Sequence, residues 1–167
     1  MVNTMLSSES RWQAALGMPI AGLLWSLATL LARSEQVDAL GIPKTEAFFY
    51  ISLGGMAQTL LLWVGFTGVL WAMTSAFGGQ MPLLRLMSLV SAASIPLWIG
   101  APATASWING PASQTAVAAT LAIMSMALFL PTLARGVATG LNWPLVRALN
   151  AVLAASVFLA SFAFLAL

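Results

Sequence analysis

The chain has 167 residues, of which 60% are hydrophobic and 6% charged, and its mean hydropathy is +0.96. An average soluble domain carries roughly a quarter charged residues, so this composition cannot solvate a globular surface and excludes a soluble enzyme, a disordered tail and a nucleic-acid binder. Six basic residues stand against four acidic ones, and the absence of cysteine and histidine excludes disulfides, thiolate nucleophiles and Cys/His metal or haem sites.

A bilayer core of roughly 30 Å takes about 20 helical residues, and the few charges divide the chain into uncharged runs of that order. The first span is expected at about 12–32. Ser10-Arg11-Trp12-Gln13 has capping-box spacing just ahead of it. Glu9 balances Arg11 in the leader, the apolar run exceeds a signal core, and Leu30 spoils a small-x-small cleavage pattern at Ala32. The run therefore reads as a retained helix. A polar loop follows from Arg33 to Glu46, with Gly41-Ile42-Pro43 to start the next helix.

The second span is expected at about 48–77, entering through the interfacial Phe48, Phe49 and Tyr50 and closing on Gly78-Gly79. The third, at about 86–108, carries Pro96 and Pro102 around Gly100. Each proline removes a helical hydrogen bond, which predicts an ordinary kink or, alternatively, a broken helix lining a polar cavity. The fourth span is expected at about 114–134, with Pro131, and the fifth at about 148–167. Asn109-Gly110-Pro111 and Asn142-Trp143-Pro144 interrupt helices before them, and Trp12, Trp107 and Trp143 read as headgroup anchors at helix ends.

Backbone groups in hydrocarbon must bond internally, and the runs lack period-two alternation, so they are helices rather than barrel strands. The expectation is an all-α polytopic membrane protein of five transmembrane helices in one bundle, a single domain over 1–167 with no linker and no convincing internal repeat. Arg11, Arg85, Arg135 and Arg147 fall on one side and Arg33 and Lys44 on the other. The bias places the amino terminus in the cytoplasm and the carboxyl terminus outside.

Catalysis inside a membrane needs ionisable groups at working depth. No Asp, Glu, Lys or Arg falls well inside an expected span, and the single aspartate and missing histidine exclude aspartyl, zinc and serine intramembrane proteases. The expectation is no enzyme, no cofactor, no metal and no nucleic acid. Gln58 is the notable amide within a span and asks for an interhelical partner. Ser88, Ser91, Ser94, Thr104, Ser106, Thr120, Ser125, Ser156 and Ser161 can bond back to their own helices. Gly65-x-x-Gly68 and Ala151-x-x-x-Ala155 are expected to let helix backbones approach inside the bundle.

Phe77-Gly78-Gly79-Gln80, then Arg85, then Ser94-Ile95-Pro96 resemble the Yip1 family of integral membrane proteins in its short bacterial form, over a stretch from Trp63 to Pro102. The resemblance implies five spans, a bacterial inner-membrane location and no established catalytic residue. The family's Asp-Leu-Tyr-Gly-Pro signature is missing, as is the long acidic cytosolic region of its eukaryotic trafficking members. The candidate functional or packing positions are Gln58, Gly78, Gly79, Arg85, Pro96 and Pro102. The expected partners are the lipid bilayer and either another membrane protein or a second copy of the chain. A small transporter using the proline-broken third helix, and an accessory subunit of a larger membrane complex, are the alternative functions.

Overall fold

A computed structural model describes the backbone of residues 8–165 and the side chains of residues 16–161. The described chain is all-helical: α1 (Ser8–Ala32), α2 (Ser34–Ala39), α3 (Lys44–Ala76), α4 (Leu83–Ala93), α5 (Leu97–Asn109), a 3₁₀ turn (Ala112–Gln114), α6 (Thr115–Leu141) and α7 (Leu145–Leu165). Two stretches, Lys44–Ala76 and Ala112–Leu141, are long and apolar enough to cross a membrane, and α4 with α5 make a third if counted as one bent span. The apolar stretches of α1 and α7 are shorter over their described side chains, Leu16–Ala32 and Leu145–Ser161.

Several expected boundaries move. Helix α1 is already helical at Ser8, so Ser10 is not its N-cap; the side chains of Ser10 to Gln13, and Trp12 with them, lie outside the described residues. The polar loop folds one short helix, α2. The third run does not continue as one helix: it opens at Leu83, directly after Pro82, and breaks at Ser94-Ile95-Pro96, where the chain bends by 71°. The fourth passes through Pro131 and Arg135 to end at Leu141 rather than Ala134. Arg135 is exposed, and a charge whose head reaches solvent does not end a helix.

The chain divides into two compact units. The first comprises residues 1–17, 63–93 and 130–167. Its core is built from Phe66 and Leu70 of α3, Leu86 and Val90 of α4, Leu133 and Val137 of α6, and Ala148, Ala151, Val152 and Ala155 of α7. Ala151 and Ala155 are fully buried, as their spacing suggests. The Trp63 indole donates to the Met87 carbonyl at 3.2 Å and ties α3 to α4.

The second unit comprises residues 18–62 and 94–129. Here α1 and α3 cross in antiparallel sense through two matched pairs. Gly22 faces Thr59, and Ser26 faces Gly55. Both hydroxyls bond back to the glycine four residues earlier on their own helix, each at 2.8 Å. Their donors are thereby satisfied without a water molecule, and the two helices approach closely. Gly65 and Gly68, the glycines expected to do this, have open space around them instead. At one end of this unit Arg33 donates from Nε and Nη2 to Asn109 Oδ1 at 2.9 and 2.5 Å, which joins the end of α1 to the end of α5.

Candidate functional site

Helix α3 ends in a tight reversal. The Gly78 N–H donates to the Ser75 carbonyl at 2.9 Å and the Gly79 N–H to the Thr74 carbonyl at 2.8 Å, with Gly78 at φ +78°. This is a Schellman stop, and the left-handed residue is the glycine because a Cβ costs energy there. Gly79 has a different task. A Cβ on it would lie 2.8 Å from Trp143 Cζ2, 2.9 Å from Leu141 Cδ1 and 3.0 Å from the Thr74 carbonyl oxygen, so its small size seats the α3–α4 turn against the α6–α7 loop. The nearest atom to a Cβ on Gly78 is Arg147 Nη2 at 3.7 Å, an ordinary contact. Gly78→Ala is therefore expected to cost about 1–2 kcal/mol through backbone conformation alone, read as a lower midpoint of thermal unfolding in detergent; no measurable loss would contradict the left-handed assignment.

Arg147 lies over this turn. Its guanidinium donates to the Phe77 carbonyl and stacks on Trp143 with 4.4 Å to the ring centroid. A cation at the end of α3 complements the negative end of the helix dipole. Beside it opens a cleft of about 570 Å³, walled by Trp71, Ser75, the Gly78-Gly79-Gln80 backbone, Met81 and Pro82. Arg85 follows one helical turn beyond Pro82; it is exposed, and its guanidinium has no protein partner among the described residues. No group of three His, Cys, Asp or Glu side chains able to hold a metal occurs among the described residues.

The other sequence candidates lie elsewhere. Pro96 and Pro102 belong to the second unit. At the break, Leu97 and Trp98 N–H donate to the Ser94 and Ile95 carbonyls at 2.8 and 3.1 Å, and Ile99 and Gly100 N–H converge on the Pro96 carbonyl at 3.3 and 3.2 Å. The Ser125 hydroxyl from α6 adds a third donor to that oxygen, at 2.7 Å. Ser125 thus departs from the expectation that it bonds back to its own helix, which Ser88, Thr104, Thr120 and Ser156 meet. Gln58 is exposed on α3, in the second unit.

Sequence reasoning missed Arg147, the crossing of α1 and α3, and the link from Ser125 to Pro96. The signal for the crossing was present as Gly22-x-x-x-Ser26 and Gly55-x-x-x-Thr59, a small-residue spacing like the ones singled out. Comparison with family models, with curated proteins and with solved structures found no match.

Proposed function

We propose that the chain is a non-enzymatic, multi-pass membrane protein of Yip1 type, crossing a bacterial inner membrane five times and acting through helix and lipid contacts. One observation carries the membrane reading. Helix α3 is apolar around its circumference, yet only 6% of its most apolar stretch is buried, and Leu53, Leu61, Leu62 and Val64 are all exposed. A helix apolar on every side needs an apolar surrounding. Since the fold leaves it bare, lipid supplies that surrounding.

Two further features support alternating passes. Within the second unit, the Arg33–Asn109 bonds bring together the loops after α1 and α5. Within the first, Arg147 brings together the loops after α3 and α6. The first pair carries Arg33 and Lys44 offset by Glu35, Asp38 and Glu46, with Lys44 paired to Asp38 at 3.3 Å. The second carries Arg85 and Arg147 with no nearby acid in sequence, which favours a cytoplasmic position for it.

Action through helix contacts is supported by α3 itself. Gln58 is exposed, Gly65 and Gly68 have nothing within 4 Å of an added Cβ, and an amide in lipid wants a partner. Gln58→Leu is expected to change unfolding in detergent by less than about 0.5 kcal/mol while reducing recovery of a cross-linked second copy or partner protein after mild extraction. A variant that is destabilised, or that keeps the same cross-links, would contradict this role. The packing of Ser125 and Gly100 into the proline break favours a structural kink there over a transport pathway.

A further inference from the structure

Helix α3 carries one polar group that its own fold leaves bare. At about 100° per residue, Gly55 and Thr59, which meet α1, lie about 60° and 100° round the helix from Gln58 on one side. Gly54 and Leu61 lie about 40° and 60° from it on the other. Gly54, Gln58 and Leu61 are all exposed, Leu61 by 75%. A Cβ added to Gly54 would meet nothing within 4 Å. The chain thus carries a helix-weakening glycine here without a neighbour of its own to make room for.

Gln58 stands fourteen residues after Lys44 and eighteen before Ala76, about 21 and 27 Å from the two helix ends at 1.5 Å per residue. In a span crossing a core of roughly 30 Å, that is deep in the hydrocarbon. Exposure there is exposure to acyl chains, and the amide is as desolvated as in a protein core. Thr59, Thr67 and Thr74 satisfy their hydroxyls on α3 itself, at 2.8, 2.7 and 3.0 Å. Gln58 has no hydrogen-bond partner among the described residues, and an unbonded amide in lipid is costly. The α1–α3 crossing shows how this sequence packs a polar group between helices: Gly22 one turn before Ser26, Gly55 one turn before Thr59. Gly54 one turn before Gln58 repeats that spacing, one residue along from the face already in use.

We infer that this face of α3 pairs with the same face of a second copy of the chain, Gln58 bonding to Gln58. The inference rests on the membrane reading above and names its partner. Copies inserted in one direction form a closed pair only about a twofold axis along the membrane normal, and that axis sets each residue of the seam opposite itself. A side chain that only donates or only accepts gains nothing from such a meeting. A primary amide carries both donors and an acceptor, so two Gln58 side chains satisfy each other with no third group. Gly54 opposite Gly54 lets the backbones approach, and Leu61 opposite Leu61 packs the next turn. A different membrane protein would have to supply a matching amide at the same depth; a second copy supplies it by symmetry.

The test is disulfide cross-linking of single-cysteine full-length chains in their membrane, with copper phenanthroline as oxidant; the chain has no thiol of its own. Leu61→Cys is expected to give a dimer of the chain. Leu60→Cys, about 100° further round α3, should give at least about fivefold less, because a disulfide forms only between facing Cβ atoms. Adding Gln58→Leu to Leu61→Cys should lower the dimer yield about threefold or more, the worth of an interhelical hydrogen bond. Gln58→Asn, which keeps a primary amide, should lose less. Absence of a dimer at Leu61→Cys would overturn the inference. Equal yields at the two cysteines, or a yield unchanged by Gln58→Leu, would do the same. So would an adduct of Leu61→Cys with another protein in place of the dimer, which would give the face to a different partner. Release of the wild type from membranes by carbonate washing would instead overturn the membrane reading.

Discussion

Gly100→Ala is expected to destabilise the protein by about 1–3 kcal/mol, the range for forcing atoms into a packed contact. Gly100 is buried on α5, and an added Cβ would lie 2.6 Å from Ser125 Cβ and closer still to the Ser125 hydroxyl. That hydroxyl cannot turn away without cost, because it donates to the Pro96 carbonyl at 2.7 Å. Ser125→Ala alone removes one hydrogen bond and is expected to cost about 1 kcal/mol. Ser125→Gly alone costs more, through the lost bond and the glycine within a helix. Gly100→Ala with Ser125→Gly together should cost clearly less than the sum of the two, because the glycine makes room for the new methyl. Thermal unfolding in detergent, followed by tryptophan fluorescence, reads the cycle. Strict additivity would show that the two positions do not touch.

The second large effect is expected at the α1–α3 crossing. A Cβ on Gly22 would meet Thr59 Cβ and Oγ1 at 2.8 Å and Cγ2 at 3.1 Å. Thr59 is β-branched and its hydroxyl is already bound to the Gly55 carbonyl, so it has no free rotamer to retreat into. Gly22→Val should therefore separate the helices and cost about 3 kcal/mol, at the upper end of overpacking losses. Gly65→Ala is the contrasting variant. Nothing lies within 4 Å of its added methyl, so it is expected to be neutral or to gain up to about 1 kcal/mol from helix propensity. Unfolding midpoints that placed the larger loss at Gly65 would reverse the assignment of the packing motif.

The helical class and most helix positions follow from the sequence, because uncharged run length and proline placement are local signals. Pro82, Pro96, Pro111 and Pro144 each stand at or just before a helix start. Pro131 was equally visible yet breaks nothing, since α6 runs through it; whether a proline ends a helix depends on neighbours that can hold the chain in line. Gly78-Gly79 was legible as a turn. Its division of labour, one glycine for φ and one for close approach, required knowing that Trp143 and Leu141 lie across from it. Gly65-x-x-Gly68 was singled out although Gly22-x-x-x-Ser26 and Gly55-x-x-x-Thr59 make the close approach; each pair sets two small residues on one helix face, and which face is used depends on the partner helix, which no local signal names. Arg147 was read as a topology marker because nothing local links it to Phe77, seventy residues away.

The central claim is that lipid surrounds exposed apolar helices threaded in alternating directions, and single-cysteine labelling tests it directly because the chain contains no thiol. Cysteines placed at Gln36, Gln80, Leu145 and Leu61 are to be exposed to a membrane-impermeant maleimide in intact cells and after permeabilisation. The account predicts labelling of Gln36→Cys in intact cells, of Gln80→Cys and Leu145→Cys only after permeabilisation, and of Leu61→Cys in neither, although Leu61 is 75% exposed in the fold. Labelling of Leu61→Cys by the aqueous reagent, or of Gln80→Cys in intact cells, would contradict it.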